Sequence, residues 1–210
     1  MTVLCRVAAI AMLAVTLSAC ALTEDTVSLQ YRAMSPVTAV PGASTVSINV
    51  VVADARTQHQ DRVSVKKNGY GMEMAAIRSD RDVGSVVKDA IETELKARGF
   101  RVGESTAQGT AKIDLITFYN DFKIGFFSGD AVADVTFNVQ VVGPGNAILF
   151  SKPISSTGKA PDILLASGSN AKTALENGLQ TAVANLMVDQ DFINAVVKAG
   201  GGKTSSTPVS

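Results

Sequence analysis

The stretch that decides the fold is AVADVTFNVQV at residues 131–141, in which small or apolar side chains alternate with mostly polar ones. The apolar set occupies every second position: Ala131, Ala133, Val135, Phe137, Val139 and Val141. A strand with this period of two turns one face to the core and the other to water. We therefore expect a sheet that is covered on a single face.

Two further strands are predicted on either side of this one. Residues 111–122 form the first, and their apolar parity changes after Leu115, which indicates a bulge or burial on both faces. A turn at residues 143–146 leads into the second, which carries Phe150 and Ile154. The three strands are expected to form an antiparallel meander.

Earlier residues predict three more strands. Residues 46–52 alternate like the central stretch and indicate a strand buried on at least one face. Residues 63–65 and 70–77 flank Asn68-Gly69, and Asn-Gly between two such runs is a strong hairpin signal because both residues tolerate positive φ.

Three helices follow from apolar residues at three- and four-residue steps. A capping box formed by Ser79 and Asp82 predicts the start of the first helix, and Gly99 predicts its end in a left-handed conformation. A stripe over residues 171–187 predicts the second, and its small residues imply close approach to a sheet. Asp189 is placed to cap a short third helix.

The order of elements is strands, helix, three strands, helix, helix. This order predicts an α+β domain with a mainly antiparallel sheet. We expect the two main helices to pack on one face of that sheet, and a short C-terminal helix to complete the fold.

The N-terminal residues predict an export signal. An apolar run over residues 7–17 follows a short start, and Leu17-Ser18-Ala19-Cys20 resembles the lipobox of bacterial lipoproteins. This resemblance implies removal of residues 1–19 and acylation of Cys20, which would anchor the chain to a membrane. Ala21 in place of Asp implies the periplasmic side of the outer membrane. A buried N-terminal helix and an ordinary soluble signal are the alternatives.

The mature chain divides into three parts. Residues 20–44 are polar and contain two prolines, which predicts a tether with a short strand at residues 27–31. Residues 45–199 form a single domain, large enough for its own core. Residues 200–210 are glycine-rich and then polar, and a disordered tail is expected.

Charge and cysteine content exclude several kinds of function. The chain has 19 basic and 19 acidic residues and no basic stripe, so we expect no nucleic-acid partner. The two cysteines are Cys5, inside the leader, and Cys20. The folded domain is therefore predicted to contain no thiol, no disulfide and no cysteine-based metal site.

A family resemblance rests on several of these residues together. They are Cys20, Val46-Ser47-Ile48-Asn49, Asp54-Ala55-Arg56, Arg81-Asp82 and the helix end Ala97-Arg98-Gly99-Phe100-Arg101-Val102-Gly103. In this combination the chain resembles the YajG family of uncharacterised bacterial outer-membrane lipoproteins. The resemblance implies a location and a fold and supplies no reaction.

The sequence contains few residues in arrangements that are typical of catalytic sites. The single histidine, His59, lies in a polar loop and has Asp54 and Asp61 as potential partners, but a solvated loop residue is the favoured interpretation. The pairs Asp80 with Asp82 and Asp130 with Asp134 could be imagined as paired carboxylates, and capping and surface roles explain them more simply. We therefore predict no enzyme activity, no metal and no cofactor.

One apolar segment does not fit an ordinary surface connection. Phe122, Phe126 and Phe127 fall at a link between two strands, where a chain is usually exposed. The simpler interpretation is that they fold under the sheet as core, and the sharper hypothesis is a contact for a partner or for lipid.

The first hypothesis for function is a non-enzymatic lipoprotein, anchored through acylated Cys20, that binds or scaffolds another envelope protein. An exposed sheet edge could accept an added strand from such a partner. The rival hypothesis is an envelope enzyme or an accessory protein that acts on or binds peptidoglycan fragments. A third is a subunit of a larger assembly.

Overall fold

A computed structural model describes residues 23–125 and 128–202 of the chain. In this part there are eight strands: β1 Asp25–Val27, β2 Ser47–Asp54, β3 Ser64–Lys67, β4 Glu73–Ser79, β5 Arg101–Val102, β6 Gly109–Ile124, β7 Gly129–Val142 and β8 Ile148–Ile163. The α-helices are α1 Val83–Ala97, α2 Gly168–Val188 and α3 Gln190–Ala199. The α+β content confirms the predicted class.

The strands form two sheets, and both sheets are mixed. The larger sheet has the order β5-β2-β6-β7-β8, and the smaller has the order β1-β4-β3. In the larger sheet β6, β7 and β8 form the predicted antiparallel meander, but β2 runs parallel to both β5 and β6. The prediction of a mainly antiparallel sheet is corrected here, because α1 returns the chain between β2 and β5 and such a crossover makes the two strands parallel.

The helices do not all pack on one face, which corrects the second part of the prediction. Helix α1 contacts β2 and β5, whereas α2 contacts β7 and β8 of the larger sheet and also β1 and β3 of the smaller one. Helix α2 therefore packs against both sheets. The apolar stripe in the sequence of a helix does not reveal whether one sheet or two pack against that helix.

The core is built around β7, as its alternation predicts. All six residues of the apolar set in this strand are buried. The parity change in β6 is a bulge between Leu115 and Thr117, which leaves Ile116 partly exposed. Helix α2 approaches β8 so closely that a side chain on Gly158 would clash with the backbone of Ala174 and Gly178.

Two local signals act at positions other than those predicted. The hairpin between β3 and β4 exists, but its turn spans residues 68–72, with Asn68 Oδ1 accepting the amides of Tyr70 and Met72 and with Gly71 at φ 79°. Asp82 is the N-cap of α1, since its carboxylate accepts the Ser85 amide at 2.7 Å. Ser79 cannot cap the helix, because it still belongs to β4.

The end of α1 and the start of α3 agree with prediction. Gly99 has φ 94°, and the Phe100 amide returns to Leu95 O at 3.1 Å. Asp189 caps α3 by accepting the amides of Asp191 and Phe192. These local devices fix the helix ends that shape the groove described next.

The segment predicted as a tether is folded onto the domain where the structure describes it. Strand β1 pairs with β4, and both Val27 and Leu29 are buried. At the other end Gly202 donates to Val197 O at 2.9 Å, so residues 200–202 also pack on the domain. Residues 1–22, with the predicted signal and Cys20, and residues 203–210 lie outside the described part.

Candidate binding groove

An open groove of about 520 Å³ lies at the C-terminal end of α2. We call it the far-end groove. Residues 36–41 form one wall, and the other wall and the floor come from the end of α2 and from one stripe of α3. The residues of these two helices are Met187, Val188, Gln190, Ile193, Asn194 and Val197. Its volume is in the range of roughly 300–1,000 Å³ that is usual for ligand sites.

A buried carboxylate holds the wall segment in place. Glu94 Oε1 accepts the Tyr31 hydroxyl at 3.0 Å and the Met34 amide at 2.8 Å, while Glu94 Oε2 is 2.6 Å from the Arg98 guanidinium. The Val40 amide then donates to Arg98 O at 3.0 Å. Burial and the nearby Glu94 carboxylate raise the pKa of Tyr31. Glu94 therefore connects α1 to the wall through a fully paired network.

The backbone of the wall remains open to a ligand. Within residues 23–125 and 128–202, the amides and carbonyls of Val37, Thr38 and Ala39 make no hydrogen bond. Thr38 and Ala39 are exposed, and Val37 is half-buried. An extended peptide could therefore pair with this segment as an added strand.

The helical side of the groove combines an apolar floor with free amide side chains. Ile193 and Val197 are nearly buried and form the floor, and Val188 stands exposed at the rim. The side chains of Gln190 and Asn194 have no hydrogen-bond partner among the described residues. Such a surface can bind an apolar side chain and orient the backbone beside it.

The lining of the groove is almost free of charged side chains. Among the described residues that line it, Arg98 is the one charged side chain, and it is paired with Glu94. The lining as described contains no His, Cys, Ser, Asp, Glu or Lys side chain.

His59 lies in a separate pocket of about 330 Å³. Its ring stacks on Tyr119 with centroids 4.2 Å apart. The loop is ordered by Arg56, which is buried and donates to both carboxylate oxygens of Asp54 and to His59 O. The loop that contains His59, which the sequence predicts to be polar and solvated, is therefore held in place by the buried Arg56 guanidinium.

The predicted partners of His59 are engaged elsewhere, since Asp54 pairs with Arg56 and Asp61 with Arg78. The structure instead places Asp121 and Asp134 in the lining of the His59 pocket. Partial burial by itself raises the pKa of Asp121, but hydrogen bonds from Lys123 and Lys67 outweigh it and lower the pKa below its usual range. A carboxylate held ionised in this way is a poor general acid.

The predicted carboxylate pairs have the simpler roles. Asp82 caps α1, Asp130 Oδ1 accepts the Asp162 amide at 3.2 Å, and Asp134 accepts the Thr157 hydroxyl at 2.9 Å. The described residues contain no cluster of three or more His, Cys, Asp or Glu side chains that could hold a metal ion.

Of the three phenylalanines in the aromatic segment, Phe122 is among the described residues. Phe122 is 2% exposed and belongs to the core, which agrees with the simpler interpretation. The sharper hypothesis of a partner or lipid contact is corrected for this residue, because its parity on β6 points it to the covered face. Phe126 and Phe127 lie outside the described residues, as does Cys20, and their predicted roles remain predictions. The edge strand β8 contains Pro153 and Pro161, which makes it a poor acceptor for an added strand.

Sequence reasoning missed the far-end groove because its two sides are about 150 residues apart in the chain. One signal was present. Pro36 and Pro41 stand at the two ends of the short segment of residues 37–40. Proline favours an extended backbone and cannot donate a backbone hydrogen bond, so such a segment is less readily paired with a neighbouring strand.

The structure is an α+β domain with two mixed sheets and an open groove at one end. The model of a family described as "Uncharacterized lipoprotein" (Lipoprotein_16) matches residues 34–196. The chain belongs to this family, which confirms the resemblance to YajG-type lipoproteins. No curated protein gives a significant match. In the described residues no helix is both long and apolar enough to span a bilayer.

Solved structures with the same fold exist at low sequence identity. Protein XCC0632 from Xanthomonas campestris, assigned to family-model DUF330, is 11% identical with a TM-score of 0.55, over 79% of this chain and 92% of that one. A second, uncharacterised protein is also 11% identical, with a TM-score of 0.51 over 79% and 97% of the two chains. At this identity the likeness shows the fold alone.

Proposed function

We propose that this protein is anchored in the bacterial outer membrane through acylated Cys20 and faces the periplasm. In this proposal its domain is a non-enzymatic binding module that captures an extended peptide segment of another envelope protein in the far-end groove. The family match supports the lipoprotein character. The observation that carries the binding role is the unpaired backbone of residues 37–39 beside the apolar floor of α3.

The groove favours a peptide over a small polar ligand. An added strand would satisfy the amides and carbonyls of residues 37–39, and alternate side chains of the peptide would point toward Ile193 and Val197. Gln190 and Asn194 could then hydrogen-bond to the free edge of that peptide. No charged group in the groove demands a charged ligand, because Arg98 is already neutralised by Glu94.

Two exposed valines provide a matched test. Val188 is 69% exposed at the rim of the groove, and Val51 is 53% exposed on β2. The full-length lipoprotein is captured from solubilised envelope as wild type, Val188→Asp and Val51→Asp, and co-purifying proteins are quantified by mass spectrometry. We expect an envelope protein that is retained by wild type and Val51→Asp and lost from Val188→Asp. Equal recovery with all three forms would contradict binding at the groove.

A second candidate function, binding of a peptidoglycan fragment, is favoured by the stacked pair His59 and Tyr119. Aromatic faces together with a few polar groups are a common lining for ligand sites. Soluble wall fragments would be titrated into the full chain and into His59→Ala by calorimetry. Binding that His59→Ala abolishes would support this candidate, and absence of heat with both forms would exclude it.

A further inference from the structure

Three connections of the fold meet at one end of the molecule, opposite the far-end groove. Strand β6 ends at Ile124 beside Gly129 of β7, and Gly129 pairs in turn with Ile163 at the end of β8. The β3–β4 turn reaches the same end, because Lys67 donates to the Asp121 carboxylate and to Phe122 O. Helix α2 begins here as well, five residues after Ile163.

These connections expose large apolar side chains. Tyr70 is 91% exposed, Leu164 84% and Leu165 75%, and Met72 and Ile124 are also exposed. We call these five residues the near-end surface. They project from three separate turns. Several large apolar side chains exposed at one end of a domain commonly mark a contact surface.

The chain that precedes β1 leads to this surface. Strand β1 runs parallel to β4, with Asp25 beside Ile77, so the chain enters β1 from the side of the β3–β4 turn. Asp25 is fixed there, since its carboxylate is 2.8 Å from Lys66 Nζ and accepts the Gly168 amide at 2.9 Å. Cys20 precedes Asp25 by five residues, which span at most about 18 Å when fully extended.

We infer that the near-end surface docks into the headgroup region of the bilayer that holds acylated Cys20. This inference rests on the lipid anchor of the proposed function. The short link leaves the near-end surface as the part of the domain closest to the lipid. Tyr side chains favour the membrane interface, and exposed Leu and Met side chains gain by partial burial among acyl chains.

Docking would also set the distance between the bilayer and the far-end groove. Helix α2 starts at the near end and finishes at the groove, and its 21 residues rise about 30 Å. A domain standing on its near-end surface would hold the far-end groove about one domain length above the bilayer, open to a partner in the periplasm.

The test uses the absence of tryptophan from the chain, so that one introduced tryptophan reports from one position. The full lipidated protein is reconstituted into phosphatidylethanolamine and phosphatidylglycerol vesicles, with or without brominated acyl chains, which quench nearby tryptophan. The reporters are Tyr70→Trp and Leu164→Trp at the near end and Val188→Trp at the groove. Vesicle flotation and the melting temperature of each variant are measured on the same samples.

We expect Tyr70→Trp and Leu164→Trp to lose intensity in brominated vesicles and to shift to shorter wavelength, while Val188→Trp does neither. If the variants float with the vesicles but all three reporters behave alike, docking is overturned and the anchor stands. If the wild-type chain does not float, the anchor fails and the inference fails with it. Two near-end reporters in different turns keep the test decisive if one variant melts early.

Discussion

The two ends of α2 expose apolar groups in opposite ways. At the near end, Tyr70, Leu164 and Leu165 project outward from two turns, whereas at the far end Ile193 and Val197 lie at the bottom of a groove. Projecting tips suit a partner that deforms around them, as lipid does. A groove with open backbone groups suits a partner of defined shape and direction. This difference fits the two proposals above, in which one end of the domain contacts the bilayer and the other end binds a partner.

The largest expected effect comes from Glu94, which fixes the wall of the groove. Glu94→Ala leaves Arg98 and the Tyr31 hydroxyl without their buried partner, and loss of one member of such a pair costs about 3–5 kcal/mol. We expect a fall of this size in the free energy of unfolding by urea. In Glu94→Ala the backbone amide hydrogens of residues 31–41 should exchange with solvent faster than those of the near end.

The matched control lies on the same helix. Glu92 pairs with the exposed Lys88 and Lys96 one turn away on either side, and each i,i+4 pair of this kind contributes about 0.3–0.5 kcal/mol. Glu92→Gln should therefore cost less than about 1 kcal/mol. Similar losses for the two variants would contradict a special role for Glu94 in holding the wall.

A second variant tests how closely α2, which runs between the two ends, packs on β8. Gly158→Ala places a methyl group against the backbone of Ala174 and Gly178, and overpacking of this kind costs about 1–3 kcal/mol. Gly69→Ala is the control, because a methyl group there meets nothing within 4 Å, and it should stay within about 0.5 kcal/mol of wild type. Urea unfolding compares the pair, and equal stability of the two would refute close seating of α2 on β8.

The smallest effect concerns the fixing of β1 at the near end and depends on pH. Burial alone raises the pKa of Asp25, but hydrogen bonds from Lys66 and from the Gly168 amide outweigh it and lower that pKa. A lowered folded-state pKa contributes stability that is present above the ordinary Asp pKa of about 3.9 and is lost as the pH falls through the folded-state value. Asp25→Asn should therefore melt below wild type at pH 7, and the gap should close in acid.

Scanning calorimetry from pH 7 to pH 2 measures this gap. Asp114→Asn is the control, since the Asp114 carboxylate makes no hydrogen bond or ion pair among the described residues and the variant should follow wild type. A gap for Asp25→Asn that does not change with pH would show that its carboxylate charge does not fix β1.

The sequence predicts the parts of the fold that local rules control. The alternation at 131–141 places β7, Gly99 ends α1, and Asp189 starts α3, because each depends on neighbouring residues only. Parallel pairing of β2 with β6 was not predictable in this way, since strand direction depends on the crossover between strands and leaves the alternation unchanged.

The candidate site is harder to predict from the sequence, because the residues that contact one another there are far apart along the chain. Glu94 falls on the apolar stripe of α1 between Ile91 and Leu95, and this charge on an apolar face is a second signal beside the two prolines. Its partner Tyr31 is 63 residues away, and no local rule connects them. The near-end surface likewise exists only after three turns have been brought together.

Photo-crosslinking in intact cells tests the division between the two ends most directly. A photoreactive residue replaces Leu165 at the near end or Thr38 in the wall of the groove, in the full lipidated chain. The account predicts lipid adducts from position 165 and a protein adduct of defined mass from position 38. Protein adducts from position 165, with none from position 38, would contradict it.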